Sequence, residues 1–436
     1  NCILLFIILE TLVFRDEKDR PYALFFAAIF CVHPLQTEPV IYISARSVLL
    51  VAAAFFCSVL AYVRYRRGGS VSWLAASVMF FMLSLFAKES AIPLAGFFAL
   101  LEYHLSKEQE TGFRAFPVAL IWAAALCFAG LRFYQLSHAI VPSITQSYPQ
   151  HWLTEVSVLP KYLRLALLPF GLSVDHEATV SWPGVAAGAA VIAATGYLVL
   201  HWRRKPLLLA LLALPYLALM TEMLVPLDDK MVEYRMYLPL AGIAALLAAC
   251  TKGWLAGRRL PISGRTAAAA SAVVLVIVLG AISFARAGVW KDPIILWQDA
   301  NNKYPGLARP YVSLGVSYGM KGDFRKSIGY LEKSVQIKPD SSDGWANLGN
   351  AYSGVHELKK AEECYRKALG INKADYESYY NLAQTLIETG RPQDAFTVLN
   401  EMTVVFHDDA DIKMKAYSVM ETAGQADLAK RLLEGR

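Results

Sequence analysis

Apolar runs alternate with short polar breaks over the first two thirds of the chain, and a polar, helix-periodic pattern replaces them in the last third. The runs cover residues 1–14, 21–33, 47–63, 71–87, 90–103, 115–134, 183–200, 206–225, 236–250 and 266–287. A helix needs about 20 mostly apolar residues to cross the hydrocarbon core of a bilayer. The pattern therefore predicts about ten membrane helices over residues 1–288. The first is partial: Cys2 to Phe14 is too short to cross alone, so that helix is expected to begin upstream of Asn1.

Basic residues orient the bundle, because short cytoplasmic breaks collect Lys and Arg. One alternate set of breaks holds Arg15, Lys18 and Arg20; Arg64, Arg66 and Arg67; Lys107 and Arg114; Arg203, Arg204 and Lys205; and Lys252, Arg258, Arg259 and Arg265. The opposite set holds only Arg46, Lys88, Lys161, Arg164, Lys230 and Arg235. This places residues 33–46, a long loop 135–182, the segment "VPLDDKMVEYR" and everything after Trp290 on the external face.

The polar last third repeats. Tyr311, Leu314, Gly315 and Tyr318 recur 34 residues on as Trp345, Leu348, Gly349 and Tyr352, and Ser327, Leu331 and Ser334 recur as Ala361, Tyr365 and Ala368. That is the tetratricopeptide period, in which small residues let paired helices approach and stacking buries what one repeat cannot. The repeats read as 308–341, 342–375, 376–409 and a degenerate 410–436, after a linker and half-repeat at 289–307 that carries Trp297, Ala300 and Pro305. The expected fold is all-α: a polytopic transmembrane helical bundle followed by a tetratricopeptide-repeat solenoid. Trp345 and its equivalents are packing residues; any ligand role belongs to the concave groove, where stacked repeats hold extended peptides.

Composition agrees: 56% of the residues are hydrophobic. The net charge of +6 sits in clusters beside the apolar runs, where topology accounts for it, and no basic face interleaved with aromatics points to nucleic acid. Six cysteines show no paired spacing and read as small buried hydrophobes.

The external breaks carry the candidate chemistry. A charge held at membrane depth is costly and marks a site, a partner or a water-filled cavity. In "HPLQTEPVIYISAR" a helix starting near Thr37 to Pro39 would place Glu38, Tyr42 and Arg46 on one stripe. Alternatively, Glu38 is a helix-start charge and Arg46 reaches to headgroups. Lys88, Glu89, Asp175, His176, Glu177, Asp228, Asp229, Glu233 and Arg235 occupy other breaks of the same face. No HExxH pair and no nucleophile motif is present, so neither metal hydrolysis nor a Ser or Cys nucleophile is indicated. Glycosyl transfer from a phosphate-linked donor needs a carboxylate to take a proton from the acceptor hydroxyl and cations to hold the leaving phosphate. This face supplies both.

The stretches "HPLQTEPVIYISARSVLL", "AKESAIPLAGFFALLEYHL", "LPFGLSVDH" and "EYRMYLPLAG", followed by the repeats, resemble the membrane-embedded, repeat-tailed O-mannosyltransferase family. The resemblance implies a GT-C-type glycosyltransferase with an external active site, a polyprenyl-phosphate sugar donor, mannose by analogy, and a protein Ser or Thr hydroxyl as acceptor. It implies His33, Glu38 and Arg46 as residues of the substrate cleft and Glu233 and Arg235 as phosphate or lid contacts, while Lys88 joins the substrate-binding set by its place on the same face; alternatively, Arg235 simply pairs with Asp228, Asp229 or Glu233. The acidic pair that supplies the base in that class would lie upstream of Asn1; within this chain Asp175, Asp228 or Asp229 are the substitutes. No metal ligands are assigned, and no cofactor beyond the lipid-linked donor. The absence of an N-x-S/T sequon favours a bacterial inner membrane with periplasmic repeats over the endoplasmic reticulum with lumenal ones. The rival reading is a non-catalytic, membrane-anchored repeat scaffold for envelope proteins.

Overall fold

The computed structural model describes residues 1–137, 147–225, 231–256, 262–407 and 409–434. Asp228 and Asp229, like Arg258 and Arg259, lie outside the described residues. The described elements are helices joined by turns, and they divide into two compact units, Asn1–Gly288 and Val289–Arg436.

The first unit holds α1 (Cys2–Ile8), α2 (Arg20–Val32), α3 (Thr37–Ile41), α4 (Arg46–Arg66), α5 (Val71–Ala87), α6 (Ala95–Glu108), α7 (Ala115–Ser137), α8 (Tyr148–Leu167), α9 (Trp182–His201), α10 (Pro206–Leu224), α11 (Tyr237–Leu255) and α12 (Ile262–Val289). Proline at the first turn starts α2, α9 and α10, where its missing N–H costs nothing. Neighbours in sequence pack as hairpins: α4 on α5, α8 on α9, α10 on α11. Aromatic side chains fill the core between α4, α5 and α6, with Phe55, Tyr62 and Phe81 all meeting the ring of Phe98 edge-on at 5.4–5.9 Å.

Among the described residues six helices are long and apolar enough to cross a membrane: Ile43–Arg66, Ala115–Gln135, Trp182–His201, Pro206–Leu224, Glu233–Leu255 and Thr266–Val289. The pair Glu17–Val32 and Pro34–Ile41, bent by 53°, makes a seventh if it is one broken span. This is fewer than the ten apolar runs. The runs at 71–87 and 90–103 form α5, 17 residues long, and α6, 14 residues long, with a 3-10 stretch through Pro93 between them. Conversely, the expected long loop 135–182 contains the 20-residue helix α8, too polar to read as a span.

The expected helix through Glu38, Tyr42 and Arg46 does not form as one element. Tyr42 is extended (φ −77°, ψ 115°) and ends α3 after a single turn; a 3-10 turn at Ile43–Ala45 follows, and α4 starts at Arg46. One turn gains too few hydrogen bonds to propagate against the backbone entropy it fixes. Glu38 is therefore 2% exposed while Tyr42 is 44% exposed and Arg46 faces outward.

In the second unit, α13 (Pro293–Lys303) precedes four helix pairs: α14 (Ala308–Met320) with α15 (Phe324–Ile337), α16 (Ser342–Gly354) with α17 (Leu358–Ile371), α18 (Tyr376–Glu388) with α19 (Pro392–Val405), and α20 (Ala410–Thr422) with α21 (Ala426–Glu434). Asp292, Asp323, Ser341, Asp375 and Asp409 each cap the helix that follows by accepting a backbone N–H. The small positions work as the repeat demands. A Cβ on Gly315 would lie 2.4 Å from Leu331 Cγ, and one on Gly349 would lie 2.6 Å from Tyr365 Cε1, the same pair one repeat later.

Candidate functional site

The 3-10 turn Glu233–Met236, ahead of α11, is the hinge of a buried polar cluster in the first unit. Glu233 is fully buried; its Oε1 accepts from the backbone N–H of Ser173 at 2.5 Å and lies 2.8 Å from His176 Nε2. These bonds tie the segment after α8 to the start of α11. The other carboxylate oxygen, Oε2, is buried with no hydrogen-bond partner among the described residues.

Glu38 reaches the same turn from α3. Its Oε2 accepts from the Tyr234 backbone N–H at 2.9 Å, a contact 196 residues apart in sequence. It feels the charges of Glu233 and of Arg286, a buried arginine on α12. Gln36, just before Glu38, is also buried, and neither atom of its side-chain amide has a partner among the described residues.

On the other side of the turn, Arg235 is 7% exposed and lies among Tyr162, Glu222 and Glu155. Burial raises the Glu155 carboxyl from 4.5 to about 7; Arg235 opposes the rise and Glu222 adds to it. Burial likewise pushes the Tyr162 phenol well above its usual range, and its hydroxyl sits 3.3–3.4 Å from the Val232 backbone N–H and C=O. Lys88 lies 3.7 Å from Glu222 Oε1 and 5.3 Å from the centre of the Tyr234 ring. His151 Nε2 meets the Glu222 carbonyl at 3.1 Å.

Of the residues singled out in the sequence, the structure brings Glu38, Lys88, Glu233 and Arg235 together. His33 is nearby but engaged: Nδ1 accepts from the Leu35 N–H at 3.2 Å and Nε2 lies 3.2 Å from the Ala166 carbonyl, so both ring nitrogens serve the fold. Asp175 is half-buried, its N–H directed at Ser173 Oγ at 3.4 Å, next to the histidine that meets Glu233. Arg46 is exposed at the start of α4 and does not share a helix face with Glu38.

Sequence reasoning missed Glu155, Tyr162 and Arg286. The first two lie on α8, which reads as loop. Arg286 was legible, being an arginine inside an apolar span. Among the described residues no three His, Cys, Asp or Glu side chains gather as a metal site.

Residues 308–341 and 342–375 each match the family profile of the tetratricopeptide repeat. The second unit thus carries tetratricopeptide repeats, which indicate binding to another protein. The chain is 31% identical over 74 residues to the uncharacterized protein MJ0572 of Methanocaldococcus jannaschii, covering 17% of this chain and 86% of that protein. It is also 20% identical over 405 residues to the protein O-mannosyl-transferase TMTC3 of Homo sapiens, covering 82% of this chain and 43% of that protein. The chain thus spans less than half the length of that curated relative. Among solved structures it is similar to YrrB, described as a TPR protein with an unusual peptide-binding site, at 18% identity and a TM-score of 0.28 over 37% of this chain and 80% of that one.

Proposed function

We propose that this chain is part of an integral membrane glycosyltransferase that moves a sugar, mannose by similarity, from a polyprenyl-phosphate donor to a protein Ser or Thr hydroxyl on the external face, with the repeats binding the acceptor protein. One observation carries the reading: four segments remote in sequence deliver Glu38, Glu155, Glu233, Arg235 and Arg286 to one buried cluster, within a chain aligned over 82% of its length with an O-mannosyl-transferase. A fold that needed only an anchor would gain nothing from burying these charges.

In this reading Arg235 and Arg286 hold the donor phosphate. The planar guanidinium suits the task because two parallel N–H groups grip two phosphate oxygens. The buried Gln36 amide and the open oxygens of Glu222 and Glu233 are the polar groups left to meet sugar hydroxyls. A carboxyl that titrates near neutrality, as Glu155 does, is able to exchange a proton during transfer. The bacterial inner membrane is the proposed setting, with the repeats periplasmic.

The test gives membranes containing the full-length protein a radiolabelled polyprenyl-phosphate mannose and a Ser/Thr-rich acceptor. Label passes to the acceptor, and Arg235→Gln lowers the rate at least about a hundredfold, the scale seen when a group that stabilises transition-state charge is removed. Absence of transfer, or equal transfer by Arg235→Gln and Glu38→Gln, overturns the assignment and leaves the scaffold reading.

A further inference from the structure

At the basic ends of α4 and α5 a groove of about 690 Å³ opens beside Arg64 and Arg67. Cys57, Leu60, Ala61 and Arg64 line it from α4 at positions i, i+3, i+4 and i+7, a single stripe about 10 Å long. Trp73 and Phe80, seven residues apart, line it from α5, and Ile7 and Thr11 from α1 and the π-helical turn that continues it. The lining is graded, apolar along its length and cationic at its mouth.

The mouth is shaped by two glycines. Gly68 has φ +93°, and a Cβ on Gly69 would lie 2.6 Å from the Arg64 carbonyl oxygen and 2.9 Å from Trp73 Cδ1. The turn therefore folds tightly back and leaves the arginines at its rim. Arg67 donates to the Thr11 carbonyl at 2.8 Å and faces Glu108 at 3.5 Å, a carboxylate it shares with Arg15 and His104. Arg64 is exposed, lies 5.3 Å from the centre of the Trp73 ring, and pairs with no carboxylate among the described residues. Arg15 and Arg67 thus share one glutamate while Arg64 has no carboxylate partner among the described residues, and the excess positive charge falls where the apolar stripe ends.

We propose that this groove binds an anionic phospholipid, with the phosphate on Arg64, supported by Arg67, and one acyl chain along Leu60, Ala61 and Phe80. A free phosphate has no use for the apolar wall, and a zwitterionic lipid none for the unmatched cation. A further helix of the same chain laid in the groove would leave Arg64 uncompensated at its edge. The basic breaks that flank the groove are of the kind that faces the anionic leaflet.

The experiment offers the purified full-length protein equal amounts of phosphatidylglycerol and phosphatidylcholine with the same acyl chains, and counts retained lipid by native mass spectrometry. Phosphatidylglycerol is retained in roughly fivefold excess or more, the contribution of one basic residue near an anionic surface. Arg64→Gln removes that preference, Arg64→Lys keeps it, and Ala61→Trp, which fills the groove and leaves both arginines, abolishes retention. Glycerol phosphate at the same concentration displaces nothing. Equal retention of the two lipids, an undiminished preference in Arg64→Gln, or displacement by glycerol phosphate overturns the proposal. Should the variants fail to fold, photoactivatable phosphatidylglycerol on the wild-type protein decides: cross-links within residues 57–80 support the site, and cross-links confined elsewhere refute it.

Discussion

Glu155→Gln isolates the electrostatic cost stored beside Arg235. The change keeps the shape of the side chain and removes its titration. Burial, with help from Glu222 and against Arg235, lifts the Glu155 carboxyl from 4.5 to about 7. The folded protein therefore holds this proton more tightly than the unfolded chain does. Stability from this group is complete below pH 4.5, falls as the pH climbs towards 7, and levels off above it. At about 1.4 kcal/mol per unit the shift corresponds to about 3 kcal/mol, and the group is only 7% exposed, so solvent screens it little. Unfolding midpoints of the full-length protein in detergent, taken from pH 5 to pH 8 for wild type and Glu155→Gln, read the difference. Relative to wild type, the variant gains stability as the pH rises, by about 3 kcal/mol across the range. Arg235→Gln removes the opposing cation and carries the slope above pH 7. Parallel pH curves for wild type and Glu155→Gln would refute the placement of this carboxyl in a desolvated site, and with it the idea that it titrates near neutrality.

Three further outcomes follow from the packing. Glu102 and Arg66 pair at 2.8 Å with both side chains fully buried, and Tyr62 donates to the same carboxylate; Glu102→Ala strands the arginine and costs about 3–5 kcal/mol, read as lost folded yield, whereas Glu102→Leu with Arg66→Met recovers most of it. Gly349→Ala drives a methyl into the Tyr365 ring and lowers stability by about 1–3 kcal/mol, seen as an earlier thermal transition of the repeat helices by circular dichroism. A reporter that works only in the cytoplasm, fused after Arg436, stays silent in cells; a signal reverses the orientation taken from the arginine and lysine clusters.

Legibility followed the length and regularity of each signal. The repeats declare themselves because the same small-to-large contact recurs every 34 residues, Gly315 on Leu331 and then Gly349 on Tyr365. Apolar runs likewise point to their helices. Breaks between runs are harder to read, because a short segment has no period of its own. Thus "HPLQTEPVIYISAR" reads as one amphipathic helix but folds as a 3-10 turn, one α-turn and a second 3-10 turn. Helix α8 fails in the opposite sense: Tyr162 and Glu155 sit on a helix whose polar residues hide it among loops.

The sequence by itself determined the elements that carry their own period: apolar helices in the first unit, paired helices in the second, and the sign of charge at each break. It also marked Glu38, Lys88, Glu233 and Arg235 as charges misplaced in an apolar chain. Only the tertiary structure decided which of them meet. Glu38 bonds to Tyr234 across 196 residues, Arg235 lies with a glutamate from α8, and His33 turns inward to the backbone. Local sequence sets dihedral preferences and faces over a few residues; which charges share a desolvated cavity depends on helix packing, and that is settled by contacts between segments that no short pattern encodes.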